Sequence, residues 1–168
     1  MITHGKLIKA AKQWLQLKCS VVATELATSV SETPDAIGWS NGGLVCIVVE
    51  CKISRSDFLA DKKKSHVLSK SSVGDYRYYL TPKDLITKNE TPDGCGLVYY
   101  DNNYKNISKC MVQVRAPVRD EFKNGTTVRT EKIMLVSIAR RALLALDAVK
   151  PLSLGNHELD GKRWEEMP

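Results

Sequence analysis

The stretch Leu44 to Val49 is apolar, partly β-branched and uninterrupted, and it ends abruptly in Glu50-Cys51-Lys52. With the turn-forming Asn41-Gly42-Gly43 ahead of it, the run reads as a central strand buried on both faces. Side chains alternate along a strand, so Glu50 and Lys52 leave one face and Cys51 leaves the other. Ionisable groups emerging side by side from a buried strand lose hydration worth on the order of several kcal/mol each, so they need a compensating partner.

Pro34-Asp35 lies just upstream. A strand carrying Asp35, the turn at Asn41-Gly42-Gly43 and a second strand ending in Glu50 make a β-hairpin, whose register can set both carboxylates at one end. A divalent cation bridging Asp35 and Glu50 would offset their desolvation. All-oxygen ligation of this kind suits hard ions such as Mg²⁺ or Mn²⁺, with the Cys51 main-chain carbonyl as third ligand and waters completing the shell. Lys52, a compact charge on a flexible stem, is placed to orient a metal-bound water and to stabilise negative charge developing on a phosphate.

Asp35, the Glu50-x-Lys52 pair and the upstream Glu25 resemble the signature of the PD-(D/E)XK nuclease superfamily. A second segment, Ser54-Arg55-Ser56-Asp57-Phe58 followed by Asp61 and Lys63, is similar to the S-R-x-D-F-x-x-D-x-K run of the MmcB-like DNA-repair proteins in that superfamily. The likeness spans roughly Lys6 to Val149 and is densest between Glu25 and Lys63. It implies a restriction-endonuclease-like fold, α/β with an αβββαβ core and a mixed central sheet flanked by helices. It also implies metal-dependent hydrolysis of DNA phosphodiester bonds, with Asp35, Glu50 and Lys52 catalytic and Asp35, Glu50 and the Cys51 carbonyl on the metal. Glu25 is either a further carboxylate ligand or a polar residue at a strand end.

The global numbers suit such an enzyme. At 168 residues and 43% hydrophobic content, the chain supports one core rather than two. We therefore expect a single domain over residues 1–152 and a C-terminal tail over 153–168, which shows no periodicity. The formal net charge of +6 favours polyanionic partners, DNA here. No apolar run reaches the length of a membrane span and the N-terminus lacks signal-peptide order, so the expectation is an intracellular, cytoplasmic protein without a membrane partner. Homodimerisation is left open. The five cysteines are odd in number and lack C-x-x-C spacing, which reads as reduced, buried side chains rather than a disulfide scaffold or zinc site.

Along the chain, Thr3 caps a first helix carrying Leu7, Ile8, Ala11, Trp14 and Leu15 inward and Lys6, Lys9 and Lys12 outward. A strand is expected near Ser20 to Leu26, then the hairpin, then a helix capped by Ser54. Further strands are expected at Tyr76 to Leu80, Leu97 to Tyr100 and Met111 to Arg115. Thr130 reads as the cap of a last helix, striped by Leu135, Ile138, Ala142, Leu146 and Val149 and ended by Pro151.

Each functional reading has a plainer rival. Asp35, Glu50 and Lys52 can be a structural ion-pair cluster, and Ser54 can be a cap alone. Asp61 reads as pairing with a neighbouring lysine on a solvated face, and His4, His66 and His157 as surface residues. Ser54 and Arg55, with Lys62, Lys63 and Lys64, are either a cap and a solvated helix face or a set of nucleic-acid contacts to phosphates. Tyrosines 76, 78, 79, 99 and 100 read as core or sheet-edge residues ahead of base-stacking platforms. The alternative to the nuclease is a catalytically silent nucleic-acid-binding or repair-accessory protein on the same fold.

Overall fold

The hydroxyl of Thr3 accepts the Lys6 N–H at 3.3 Å and so starts helix α1, His4–Gln16. Its apolar residues recur at helical spacing, and Leu7, Ile8, Ala10, Ala11, Trp14 and Leu15 are all buried. The structure, a computed structural model, describes residues 1–26, 33–62, 73–119 and 125–149. After α1 come strands β1 (Val21–Thr24), β2 (Ala36–Ser40) and β3 (Val45–Cys51), helix α2 (Arg55–Lys62), strands β4 (Tyr76–Pro82), β5 (Cys95–Tyr100) and β6 (Cys110–Val114), and helix α3 (Gly125–Val149).

The six strands form one sheet in sequence order. β1, β2 and β3 pair antiparallel, β3, β4 and β5 pair parallel, and β6 returns antiparallel. The fold is therefore α/β with a mixed central sheet flanked by helices, and α1-β1-β2-β3-α2-β4 follows the expected αβββαβ order. Asn41, Gly42 and Gly43 turn β2 into β3 with φ of 50°, 65° and 90°, three consecutive left-handed residues. Glycine adopts that region without steric cost and asparagine tolerates it. This turn pairs Ser40 with Val45 and Ala36 with Val49; one step further along the same register, Asp35 faces Glu50.

Alternation along the strands divides the interior in two. On one face, Val49, Cys51, Leu80 and Val98 pack under α1 against Leu7, Ala11, Trp14 and Leu15. Each fully buried leucine there contributes about 1.5–3 kcal/mol. On the other face, Phe58 of α2 joins Tyr79, Ile86, Leu97 and Tyr99, with the Phe58 and Tyr79 rings edge-to-face at 5.2 Å. Gly96 of β5 is required where it stands, because a Cβ there would collide with the Tyr78 ring.

Tyr79, Tyr99 and Tyr100 are core residues, as their strand spacing suggests. One expectation about the elements fails. Thr130 does not cap the last helix, which begins at Gly125; Thr130 lies within it at 2% exposure, like Thr127. Tertiary burial of the Thr127 to Glu131 segment overrides its weak helix propensity and extends the helix toward the N-terminus. The chain divides into a compact unit, Met1–Leu135, which holds the whole sheet, and a second, Val136–Pro168. The boundary expected at residue 152 lies outside the described residues. All five cysteines are free and buried. Among the described residues, no helix is long and apolar enough to cross a membrane.

Candidate functional site

The parallel strands β3 and β4 end side by side, and the chain leaves β3 through Lys52, whose N–H donates to the Leu80 carbonyl at 3.0 Å. Glu50 and Lys52, two apart, both point away from the α1 face. Asp35 reaches the same end from the neighbouring strand, and its Oδ2 accepts the Cys51 N–H at 2.7 Å. Three residues separated in sequence thus meet at one sheet end. The Cys51 thiol is buried beneath α1, and burial, with the nearby Asp35 and Glu50 carboxylates adding to it, holds the thiol well above its ordinary pKa.

Two residues that sequence reasoning left out or misread, Arg77 and Asp61, complete the cluster. Arg77 of β4 donates from a guanidinium nitrogen to Glu50 Oε1 at 3.0 Å, and Lys52 Nζ lies 3.7 Å from Glu50 Oε2. Lys52 Nζ also lies 3.1 Å from Asp61 Oδ1, while the Tyr79 hydroxyl donates to Asp61 Oδ2 at 3.1 Å. Asp61 is therefore not on a solvated face. It is 2% exposed, on the side of α2 that packs on the sheet, and its partner is a lysine of β3 rather than one along the helix. His4, at the first turn of α1, brings its Nε2 to 3.4 Å from Asp35 Oδ1.

Burial dominates the electrostatics. Exposures of 6% for Glu50, 8% for Lys52 and 0% for Arg77 leave little water to solvate these charges. Desolvation pushes the Glu50 carboxyl up to about 7; Arg77 and then Lys52 pull it down, and Asp35 and Asp61 add to the rise. For Lys52, burial works against the ammonium, but Glu50 and Asp61 outweigh it and raise its pKa above the ordinary value. Lys52 is thus a cation at neutral pH. It serves as an electrostatic group and donor rather than as a base.

The remaining candidates lie elsewhere or act differently. Glu25, in the left-handed region at φ 51°, is exposed and joins this end of the sheet through its N–H, which donates to the Asp35 carbonyl at 3.2 Å. Ser54 caps α2, its hydroxyl accepting the Asp57 N–H at 3.2 Å. Arg55 forms an ion pair with Glu90, whose carboxylate also accepts from the Thr87 main chain and hydroxyl. Lys62 Nζ donates to the Glu90 carbonyl at 3.3 Å. Lys63, Lys64, His66 and His157 lie outside the described residues.

The donor chemistry fits a hard divalent cation in kind: Asp35, Glu50 and the Cys51 main chain are all-oxygen donors. Two acids, Glu50 and Asp61, contact two permanent cations, Lys52 and Arg77, and Asp35 adds a third negative charge whose field reaches Lys52. Among the described residues, however, no group of three or more His, Cys, Asp or Glu side chains forms a ready-made metal cage. Glu50 is held by the protein's own cations, so an ion there would displace Arg77 or share Glu50 with it.

Arg77 had a signal in the sequence: an arginine flanked by tyrosines within a strand buried on both faces needs an acidic partner. Asp61 had a weaker one: it follows the apolar Phe58 by three positions and so shares the face of α2 that Phe58 buries.

No protein-family model matches the chain, and no curated protein matches it. Among solved structures, a protein of unknown function from Silicibacter pomeroyi is similar, with a TM-score of 0.63 and 21% sequence identity over 94% of this chain and 99% of that one. The chain thus shares its α/β fold with that protein over nearly the full length of both.

Proposed function

We propose that the chain is a metal-dependent nuclease acting on DNA, with Asp35 and Glu50 holding Mg²⁺ or Mn²⁺ beside the Cys51 carbonyl. The observation that carries this reading is the convergence of Asp35, Glu50 and Lys52 at one sheet end, where a half-buried Asp35 adds its charge to a balanced buried set of two acids, Glu50 and Asp61, and two cations, Lys52 and Arg77. A divalent cation bound there would polarise a phosphodiester and lower the pKa of its water. Lys52, fixed as an ammonium by Asp61, would offer its charge to the negative charge that develops on the phosphate. Asp61 and Tyr79 hold that ammonium in place. His4, beside Asp35, restrains the rotation of that carboxylate.

The Arg77 to Glu50 contact favours a second reading, a nucleic-acid-binding protein whose charged cluster is structural, because a guanidinium already neutralises the carboxylate that an ion would need. Calorimetric titration with Mg²⁺ and Mn²⁺, run beside a cleavage assay on linear, circular and branched DNA, separates the two. On the nuclease reading, the wild-type protein binds metal and cleaves, and Asp35→Asn and Glu50→Gln lose both while still binding DNA. Lys52→Ala keeps metal binding and slows cleavage by on the order of 10² to 10⁴. Metal binding indifferent to both carboxylate changes would remove the site.

A further inference from the structure

The first acidic residue of the chain is Glu25; the 24 residues before it contain Lys6, Lys9, Lys12 and Lys18 and none of the 19 acids. α1 spans most of that segment. Its apolar side lies on the sheet, and the side facing water carries Lys6, Lys9 and Lys12, all exposed, together with Gln16. None of these three lysines has an ion pair or a side-chain hydrogen bond among the described residues. Lys6 also sits in the first turn, where the helix dipole disfavours a cation. At 1.5 Å rise per residue, Lys6 to Lys12 covers about 9 Å, a length over which duplex DNA presents roughly five phosphate charges. The helix starts at the candidate site, since His4 is beside Asp35.

We infer that the outward face of α1, Lys6-Lys9-Lys12, is the surface that grips a nucleic-acid backbone and leads it to the Asp35 end of the sheet. The basic residues of α2 are less suited to the task, because Arg55 and Lys62 are both engaged with Glu90. A lipid surface is a poor fit: α1 has no apolar face to insert, its leucines and Trp14 being committed to the core. An acidic protein would need an apolar or aromatic centre to the contact, and this face offers only lysine and amide groups. A polyphosphate backbone needs neither. Contacts of this type give affinity without reading sequence.

This inference rests on the nucleic-acid reading above, and its test is binding in chelator, which is independent of cleavage. Fluorescence anisotropy with labelled duplex DNA, single-stranded DNA and RNA is measured across a salt series. The probed variants are Lys6→Gln/Lys9→Gln/Lys12→Gln, the same three positions changed to Arg, and a charge-matched control, Lys88→Gln/Lys105→Gln/Lys132→Gln. Lysine and glutamine have similar helix propensity, and circular dichroism with an unfolding midpoint confirms that α1 is retained.

The α1 triple is expected to bind about tenfold or more weakly at 0.1 M salt, with the salt slope flattened by roughly 0.9 per lost contact on duplex and 0.7 on single strands. The arginine triple and the control should stay close to wild type. The probe bound most tightly identifies the form of nucleic acid. Equal losses in the α1 triple and the control would reduce the effect to net charge and overturn the inference. So would a wild-type protein that binds none of the three probes, or one that prefers anionic vesicles or an acidic peptide through the same lysines. A failure of metal binding or cleavage with this pattern intact would instead count against the metal site alone.

Discussion

Helix α2 contributes to two ion pairs that contrast in every respect but their chemistry. Arg55, at its start, meets Glu90 at the surface, with side chains 55% and 27% exposed. Asp61, two turns on, meets Lys52 with side chains 3% and 9% exposed, within a cluster that extends to Glu50 and Arg77. In water such a pair is screened, and holding two long side chains together costs entropy, so it contributes little. In the interior the same attraction is strong, but it must first offset the loss of hydration, and each group becomes dependent on the others. The surface pair is optional, whereas the buried one is a commitment that apolar residues would have avoided.

The largest effect should come from removing one member of the buried set. Arg77→Met leaves Glu50 without its nearest cation, and we expect a loss of about 3–5 kcal/mol in urea unfolding. Adding Glu50→Gln to that variant should recover much of the loss. If the single change proves as mild as a surface substitution, the contrast between the two pairs collapses.

The two carboxylates also predict opposite responses to pH. The Glu50 carboxyl, near 7 in the folded protein against an ordinary 4.5, binds its proton more tightly when folded. The folded state therefore holds more protons between those values, and stability contributed by this group falls as pH rises from about 4.5 to 7, by on the order of 3 kcal/mol. Glu90 is held down to about 2 by the hydrogen bonds from Arg55 and from the Thr87 main chain and hydroxyl. Its contribution, small because the pair lies in water, is present above its ordinary 4.5 and is lost as pH falls through 2. Unfolding midpoints across pH should thus lose the neutral-side decline in Glu50→Gln and part of the acid-side decline in Glu90→Gln. A pH profile unaltered by Glu50→Gln would mean that its carboxyl is not raised in the folded state.

Tyr79→Phe sharpens the contrast within the buried group, because it removes a hydroxyl and little else. Asp61 Oδ2 then loses its buried donor, at a cost of about 1–3 kcal/mol, and cleavage, if limited by placement of Lys52, should slow without a change in metal affinity. The smallest effect belongs to the surface pair: Arg55→Ala should leave the unfolding midpoint near wild type at physiological salt, with any difference vanishing as salt is raised.

What could be read directly from the chain was whatever depends on neighbours in sequence. The Asn41-Gly42-Gly43 turn required glycine-tolerant backbone, the apolar run to Val49 marked a buried strand, and alternation set Glu50 and Lys52 on one face; together these located the hairpin and brought Asp35 opposite Glu50. Thr3 and Ser54 capped their helices for equally local reasons, since a side-chain oxygen finds an N–H three residues on. Tertiary structure alone decided which charges compensate one another. Asp61 reaches Lys52 because α2 folds back on the sheet beside β4, Arg77 reaches Glu50 because β4 pairs with β3 in parallel register, and His4 reaches Asp35 because α1 starts at that sheet end. Thr130 lost its cap role in the same way, lying buried within a helix that begins at Gly125. Caps and turns are satisfied within a few residues by backbone geometry, whereas a buried charge takes whichever partner the packed elements bring to within about 4 Å, however far away in sequence that partner lies.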